Sequence, residues 1–227
     1  MDQRREQLIS LLSSGGMSIK ELSARLYVSE MTVRRALKPL LEEGLITHSR
    51  GKITLNSNDS GIASCIRRDT YVDEKIMMAR RAAEHLRGGE IIYIDASDTC
   101  AHLLAELVKY KPRLVITNSL DLCMELGNLG IMTKLTGGDY NPFDRSVGGY
   151  GAIKCINAFS FDIAFLSAKG MDIKYLTDSE EDHFTMHCAV LEHSAKTVFL
   201  MSKETRGKRY QYIVGETDEL TVITDDK

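Results

Sequence analysis

Residues 18–46 read SIKELSARLYVSEMTVRRALKPLLEEGLI, and this stretch decides the fold of the N-terminal part of the chain. Ser18 followed three residues later by Glu21 is the pattern of a capping box at the start of a helix. Ser29 takes the same place before the next helix, whose apolar residues also recur at helical spacing. Two amphipathic helices joined by a short turn at Tyr27-Val28 predict a helix-turn-helix.

The second of these helices is basic on its polar side, where Arg34, Arg35 and Lys38 lie opposite the apolar stripe. A helix fits the major groove of duplex DNA, where its first residues meet base edges and its basic residues meet phosphates. We therefore expect this helix to bind DNA, with Thr32, Arg34 and Arg35 as the main contacts. The full set of expected DNA-binding residues is Lys20, Ser29, Thr32, Arg34, Arg35, Lys38, Arg50 and Lys52. The alternative is a three-helix bundle whose basic face is merely solvated.

Further elements are predicted on both sides of this stretch. Residues 4–13 have the apolar spacing of a first helix, and two short β-like runs at 45–48 and 52–55 predict a small hairpin, or wing. Pro39 lacks an N–H and clashes with the preceding turn, so a kink or break is expected there. The polar, turn-rich run at 56–61 indicates a linker.

The composition is that of a globular protein rather than a membrane protein or a disulfide scaffold. Of the 227 residues, 43% are hydrophobic and 27% are charged, and the apolar runs are too short for a membrane span. No apolar core of a signal peptide follows Met1, and the five cysteines are scattered without a C-x-x-C pair. We expect a cytoplasmic protein with reduced cysteines and no metal site.

Charge is distributed unevenly along the chain. Residues 1–60 carry nine Lys and Arg against seven Asp and Glu, whereas the remaining residues carry 20 against 25. A mildly basic head on an acidic body is compatible with a nucleic-acid-binding end, although the difference alone decides little.

From about residue 73 the chain alternates between helices and strands. Helices are predicted near 73–86, 99–110, 119–127, 150–158 and 179–195, and strands near 90–95, 113–117, 131–135, 161–167, 197–201 and 219–224. Repeated βα units with apolar strands predict an α/β domain with a mainly parallel sheet covered by helices, and ligands of such sheets bind beyond the carboxyl ends of the strands. The predicted organisation is a winged helix-turn-helix domain at 1–56, a linker at 57–72 and an α/β effector-sensing domain at 73–227.

The N-terminal motifs resemble the DeoR-type winged helix-turn-helix. The resemblance rests on Ile19-Lys20-Glu21-Leu22-Ser23 and above all on Val28-Ser29-x-x-Thr32-Val33-Arg34-Arg35. The chain departs from the family pattern at Ala36, where an acidic residue is usual, and at 48–52, where the family has His-Gly-Gly. These departures concern the wing contacts and the operator sequence rather than the fold.

The resemblance continues through the C-terminal part of the chain. It rests on Asp95-Ala96-Ser97-Asp98-Thr99-Cys100, Thr117-Asn118-Ser119, Gly137-Gly138 and Lys169-Gly170-Met171-Asp172, which follow predicted strands. The resemblance implies a fold related to sugar-phosphate isomerases, used to bind phosphorylated sugars and release DNA. The effector-binding residues that it implies are Asp95, Ser97, Asp98, Thr99, Thr117, Asn118, Ser119, Gly137, Gly138, Lys169, Gly170 and Lys203. Neither a dinucleotide fingerprint nor a P-loop occurs, so no cofactor is expected.

Asp98 replaces the glycine that the family usually has before the threonine, at the place where a phosphate would approach. Two like charges about 4 Å apart repel by about 4 kcal/mol at an effective dielectric constant of about 20, which costs a few hundredfold or more in affinity. The late Asp-x-Ser-Lys motif of the family also lacks its Asp at 200–204. Either Asp98 points away, or the ligand is not a simple phosphate, or effector binding has weakened. Our hypothesis is that the effector differs from the common ones.

Two alternative interpretations of the C-terminal part are a zinc site and an enzyme. His183 and His187 are spaced i, i+4 on one helix and could hold zinc, but a polar helix face near the ligand pocket is the simpler interpretation. The second alternative is an isomerase-like enzyme with an appended DNA-binding module. Its candidate catalytic residues would be Asp95, Asp98, Lys169 and Asp172.

The leading interpretation is a ligand-responsive repressor, not an enzyme, that acts on duplex DNA as a homodimer or homotetramer. An activator, or a DNA-bound repressor that ignores ligand, is the third interpretation. Two-fold symmetry would let paired recognition helices read half-sites about 34 Å apart. Coupling requires that the effector bind the DNA-free state better, by about 1–3 kcal/mol.

Overall fold

The computed structural model describes residues 7–8, 11–12, 16–42, 46–49, 51–55, 68, 71–142 and 144–226. The chain divides into two compact units, one with residues 1–70 and 142–144 and the other with residues 71–141 and 145–227. Within the described residues, no helix combines the length and the apolar character needed to cross a bilayer.

The first unit contains the predicted helix-turn-helix and hairpin wing. Helices α1 (Ile19–Leu26) and α2 (Glu30–Glu42) are followed by strands β1 (Ile46–Ser49) and β2 (Lys52–Leu55), which pair antiparallel. Residues 7–8 and 11–12 are also helical. One hydrophobic core joins these elements, and its buried residues are Leu8, Leu12, Met17, Ile19, Leu22, Val33, Leu37, Leu40, Ile46 and Ile53.

Side-chain caps fix where the two helices begin. The Ser18 hydroxyl accepts a hydrogen bond from the Glu21 N–H at 3.2 Å, and the Glu21 carboxylate accepts one from the Ser18 N–H at 2.7 Å. The Ser29 hydroxyl accepts from the Thr32 N–H at 3.2 Å at the start of α2. Between the helices Tyr27 turns the chain with a positive φ of 53°. Both predicted caps are therefore confirmed.

Of the kink or break expected at Pro39, the break is not found. Helix α2 runs from Glu30 to Glu42 with Pro39 inside it. The proline ring lies on the exposed face, whereas Leu37 and Leu40 on either side of it are buried in the core. Because these leucines are buried in the core, the helix continues through Pro39, although proline has no backbone N–H to donate.

The second unit is an α/β structure built on a six-stranded sheet. Its elements in chain order are α3 (Val72–Ala83), β3 (Ile91–Ile94), a 3-10 turn (Cys100–Leu103), α4 (Leu104–Tyr110), β4 (Leu114–Thr117), α5 (Leu120–Asn128), β5 (Thr133–Leu135), β6 (Asp139–Asn141), β7 (Ser146–Gly148), α6 (Gly149–Ile156), β8 (Ile163–Leu166), β9 (Gly170–Met171), β10 (Tyr175–Asp178), α7 (Glu181–Glu192), β11 (Thr197–Met201), a second 3-10 turn (Lys203–Thr205), β12 (Tyr212–Glu216) and β13 (Thr221–Thr224). The sheet order is β13-β11-β8-β3-β4-β5, and every neighbouring pair is parallel. The predicted fold class is confirmed.

Alternate residues of the central strands enter two separate cores. Ile92, Ile94 and Phe165 pack with α3, α4 and α5 on one face, whereas Tyr93 and Ala164 pack with α6 and α7 on the other. This alternation is the period-two geometry of a strand, so helices cover both faces of the sheet.

The structure differs from the prediction in its shorter elements. The helix predicted at 99–110 begins with a 3-10 turn and becomes α-helical only at Leu104. The hairpin of β6 with β7 and the antiparallel sheet β12-β10-β9 were not predicted. Gly170-Met171, expected to follow a strand, itself forms β9. The missed strands are polar or glycine-containing, as in Asp139–Asn141 and Ser146–Gly148, and lack the apolar runs by which the strands of the parallel sheet were predicted.

Candidate functional site

The first unit presents a basic surface on α2, α1 and the hairpin. The side chains of Lys20, Ser29, Arg34, Arg35, Lys38 and Lys52 are exposed, and Thr32 is half-buried. Lys38 lies 3.8 Å from Glu42, with both side chains largely in water. Arg50 lies outside the described residues. Exposed cations on a capped helix suit contacts to DNA phosphates and bases, and the assignment of these residues to DNA remains a prediction.

Hydroxyl and apolar side chains surround the start of α2. The hydroxyl of Thr32 lies 2.8 Å from that of Ser29 and is therefore already engaged in the helix cap. Tyr27, in the turn before the helix, is 95% exposed. The sequence did not predict this exposure, because a tyrosine in such a turn can equally be a core residue.

In the second unit the implied effector residues follow neighbouring parallel strands. Asp95 follows β3, Thr117 ends β4, Gly137-Gly138 follow β5 and Lys169 follows β8. Hydrogen bonds tie these ends to one another: the Thr136 N–H donates to the Thr117 carbonyl at 3.0 Å. Because the carboxyl ends of parallel strands meet at one edge, this edge is the candidate ligand site of the α/β unit.

Asp95 lies buried at the centre of this edge. Its carboxylate accepts hydrogen bonds from the N–H groups of Ser97 at 3.0 Å and Ser167 at 2.6 Å. The Nε2 atom of His187 lies 3.6 Å from the same carboxylate. Asp95 therefore joins the loop after β3 to the loop after β8 and to helix α7.

His187 is held between two buried carboxylates. Its Nδ1 atom lies 2.7 Å from Asp178, which also accepts a hydrogen bond from the Lys169 N–H at 3.1 Å. All three ionisable side chains, those of Asp95, Asp178 and His187, are buried. The sequence prediction missed Asp178 altogether, since a single Asp at the end of a short strand carries no motif.

The charges of this buried cluster follow from its contacts. Burial alone would lower the pKa of His187, but its hydrogen bond to Asp178 and the negative charges of Asp178 and Asp95 outweigh it and raise that pKa to about 9. Burial likewise opposes ionisation of Asp95 and Asp178, yet hydrogen bonds from His187 lower the pKa of both carboxyl groups. At neutral pH the cluster is therefore an imidazolium between two carboxylates.

The zinc alternative is not supported by this geometry. His187 is buried with Nδ1 2.7 Å from Asp178 and Nε2 3.6 Å from Asp95, whereas His183, one turn earlier on the same helix, is half-buried. Among the described residues, no group of three or more His, Cys, Asp and Glu side chains could hold a metal ion.

At the start of the 3-10 turn, a side chain of the preceding loop already accepts a backbone hydrogen bond. The Ser97 hydroxyl accepts a hydrogen bond from the Cys100 N–H at 3.0 Å. Thr99 is buried, and Asp98 is half-buried. Fewer free N–H groups remain there for an anion than an uncapped α-helix would offer, because Ser97 satisfies one of them.

The segment after β4 is buried and internally bonded. The Thr117 hydroxyl accepts from the Ser119 N–H at 3.0 Å, and the Ser119 hydroxyl accepts from the Leu122 N–H at 3.2 Å. The Tyr93 hydroxyl donates to the side-chain carbonyl of Asn118 at 3.2 Å. These contacts hold the segment rigidly at the sheet edge.

Two glycines shape the loop after β5. Gly137 and Gly138 have positive φ values of 76° and 112°. A Cβ atom on Gly138 would lie 2.1 Å from the carbonyl oxygen of Gly148, whereas one on Gly137 would meet nothing within 4 Å. Only glycine fits at position 138.

Lys203 is engaged elsewhere in the same unit. Its ammonium lies 3.0 Å from the Glu74 carboxylate and 3.8 Å from the centre of the Tyr71 ring, both at the start of α3. Of the proposed catalytic residues, Asp172 accepts hydrogen bonds from the N–H groups of Lys174 and Tyr175 and so closes the β9–β10 turn. Lys169 is exposed.

Both units match sequence profiles of a known family. The DeoR-like helix-turn-helix domain matches residues 4–59, and the DeoR C terminal sensor domain matches residues 70–227. The chain is 28% identical to the HTH-type transcriptional regulator GlpR of Haloferax volcanii, over 99% of this chain and 89% of that protein. It is 29% identical to the L-fucose operon activator of Escherichia coli, over 100% and 96% of the two chains. It is 25% identical to the glycerol-3-phosphate regulon repressor of Escherichia coli, over 99% and 90%.

Among solved structures, the delta subunit of eIF2B from Chaetomium thermophilum aligns with a TM-score of 0.51 and 16% identity, over 74% of this chain and 62% of that one. Ribose 5-phosphate isomerase A from Methanocaldococcus jannaschii aligns with a TM-score of 0.45 and 17% identity, over 62% and 56%. The chain thus spans less than two thirds of either structure, and the first likeness concerns the fold alone.

Proposed function

The chain belongs to the DeoR family of transcriptional regulators, and from that premise we propose that it represses genes of carbohydrate metabolism until a phosphorylated sugar or related metabolite releases it from DNA. The observation that carries the proposal is the capped helix α2, which exposes Arg34 and Arg35. Repression is supported by the likeness to a glycerol-3-phosphate regulon repressor. The likeness to an L-fucose operon activator would favour the opposite action on transcription.

In this proposal, the operator is read by the predicted domain at 1–56. Its DNA contacts are the eight residues Lys20, Ser29, Thr32, Arg34, Arg35, Lys38, Arg50 and Lys52, linked through 57–72 to the sensor at 73–227. The protein acts in the cytoplasm as a homodimer or homotetramer, because two-fold symmetry matches two recognition helices to two half-sites.

The effector binds at the carboxyl edge of the parallel sheet, at the twelve residues implied by the family resemblance. The Asp95–His187–Asp178 cluster supports this site by fixing the loops after β3 and β8. The relatives are transcriptional regulators, so we infer that the ligand is bound and not turned over. Incubation of the protein with ribose 5-phosphate and other sugar phosphates should yield no new product.

Selection of bound fragments from the organism's own genome tests the proposed function. We expect a small set of fragments to be enriched at moderate salt, and the genes beside them to indicate the metabolite. Binding without preference for any fragment over random duplex would contradict the proposal.

A thermal-shift panel of common sugar phosphates tests the hypothesis about Asp98. At about 100 times Kd a ligand stabilises the folded state by about 2.7 kcal/mol. We expect ordinary sugar phosphates to fall well short of that value at matched concentration, and strong stabilisation by one of them would show that Asp98 does not exclude a phosphate.

A further inference from the structure

The exposed side of α2 contains a large apolar side chain at its start, Met31, and a less exposed one near its end, Leu41, among charged residues. Met31 is 74% exposed on the first turn of the helix. Arg35 and Lys38 follow it at i+4 and i+7, which places all three on one face. The opposite stripe of Val33, Leu37 and Leu40 is the one buried in the core.

Within the described part of the first unit, the hydrophobic core gives Met31 no role in folding. It lies outside the residues of the first unit's hydrophobic core and outside those packed against that core. An isolated exposed apolar residue needs no explanation in general. Here, however, the position is the second residue of the helix proposed to enter the major groove, where the first residues of a recognition helix meet base edges.

In the major groove, a methionine side chain can recognise one kind of group, an apolar one. Guanine, adenine and cytosine present hydrogen-bond donors and acceptors on that edge, and a thioether side chain binds these poorly. Thymine adds a C5-methyl group, which is the one apolar feature of the unmodified groove. The hydroxyl of the neighbouring Thr32, which could also bond to a base, lies 2.8 Å from the Ser29 hydroxyl in the helix cap.

We propose that Met31 reads the C5-methyl group of a thymine in each operator half-site and is thereby a specificity-determining residue of this protein. The inference rests on the proposed function, because it concerns the DNA that α2 binds. Arg34 and Arg35 then supply charge and hydrogen bonds on either side of an apolar contact.

The test uses the full-length protein and an operator duplex obtained by the genomic selection. Each thymine is replaced in turn by deoxyuridine, which pairs identically but lacks the methyl group. For the wild-type protein we expect one position per half-site at which this change weakens binding about fourfold, the effect of removing one buried methyl-sized group. For Met31→Ala we expect weaker binding to the parent duplex and no further loss from deoxyuridine at that position.

Two variants serve as controls. Met31→Leu keeps an apolar side chain of similar volume and should retain most of the sensitivity to deoxyuridine. Met124→Ala removes a methionine that is 57% exposed on α5 in the other unit, and it should leave both affinity and sensitivity unchanged.

The possible failures can be told apart. Tight, sequence-preferring binding in which no thymine is sensitive to loss of its methyl group would overturn the inference and leave the proposed function standing. The same holds if Met31→Ala keeps the wild-type pattern of sensitivity, since another residue would then contact the methyl group. Absence of any preferred DNA would overturn the proposed function and this inference together.

Discussion

At the scale of single residues, the central feature of the α/β unit is His187, a buried histidine between two buried carboxylates. It is buried, it bonds to Asp178 and it lies beside Asp95, and these two carboxylates in turn accept N–H groups from the loops that carry Ser167 and Lys169. A buried ion pair of this kind costs much of its Coulombic energy in desolvation. We therefore expect the cluster to fix the geometry of these loops while adding little net stability over an apolar replacement.

Removal of the buried cation should leave the desolvation free energy of the two carboxylates uncompensated. His187→Gln leaves Asp95 and Asp178 buried without a compensating charge, so we expect a loss of about 3–5 kcal/mol in the free energy of unfolding measured with urea. His193→Gln, at the end of the same helix, is the matched control and should cost less than about 1 kcal/mol. An equal, small effect of both substitutions would mean that the cluster is not charged.

The same cluster predicts how the stability of the wild-type protein changes with pH. The pKa of His187 rises from 6.5 to about 9 in the folded state, so its contribution is complete below pH 6.5 and is lost as the pH rises through about 9. The pKa values of Asp95 and Asp178 are lowered from 3.8, so their contribution is present above that pH and is lost on acidification. The stability difference between wild type and His187→Gln should therefore shrink between pH 6.5 and pH 9.5.

Gly138 offers a second test at the residue scale. Gly138→Ala places a Cβ atom 2.1 Å from the Gly148 carbonyl oxygen at a φ of 112°, and we expect a loss of more than about 2 kcal/mol. Gly137→Ala has the same kind of positive φ but open space around it, so only about 1–2 kcal/mol of backbone strain is expected. Thermal unfolding of the two variants compares them directly, and equal losses would show that the close backbone contact is not maintained in solution.

At the scale of elements, α2 combines two tasks on opposite faces. Its apolar stripe is part of the core, and its caps are local, so the helix keeps its position whatever its exposed residues are. Its charged face is then free to vary with the DNA that it binds. This separation is why substitutions on that face should alter binding without altering the fold.

Arg34→Ala and Arg35→Ala should weaken operator binding and reduce the salt dependence of the affinity. Each lost phosphate contact lowers the slope of log affinity against log salt by about 1, and a lost base contact costs about 1–3 kcal/mol. The melting temperature should not change, because both side chains are exposed. Lys154→Ala, an exposed cation on α6 of the other unit, removes the same charge and should change nothing in a gel-shift titration. Wild-type affinity in both arginine variants would contradict the assignment of α2.

At the scale of the whole molecule, the positive charge is concentrated in the same N-terminal part that forms a separate structural unit. The net charge of the chain is −3, whereas residues 1–60 carry an excess of Lys and Arg. An acidic protein that binds DNA depends on a local cationic surface, and its affinity falls steeply with salt. The two units also have separate hydrophobic cores.

The separate cores predict that the sensor is independent of the DNA-binding unit. A fragment of residues 62–227 contains the complete six-stranded sheet and should fold cooperatively and form oligomers, but it should not bind the operator. Circular dichroism, light scattering and gel-shift titration measure these three properties. A fragment that stays unfolded would show that the N-terminal unit contributes to the stability of the sheet.

The sequence by itself determined the helix-turn-helix, its two caps and the mainly parallel sheet of a βα domain. These features depend on interactions between residues three or four apart, or on runs of apolar residues, and both are visible in the order of the amino acids. The position of Asp95 after β3 followed for the same reason. The antiparallel strands and the 3-10 turn did not follow, because their residues mix apolar with polar and glycine positions and form no apolar run.

Only the tertiary structure decided which distant side chains meet. Asp178 and Asp95 come together around His187, and Lys203 reaches Glu74 across 129 residues of sequence, because the crossover connections of the sheet place these segments side by side. Packing in the separate core of the first unit holds α2 helical through Pro39, and the close approach of Gly148 forces glycine at position 138. Such contacts are set by topology and close packing, which no local pattern of residue types encodes.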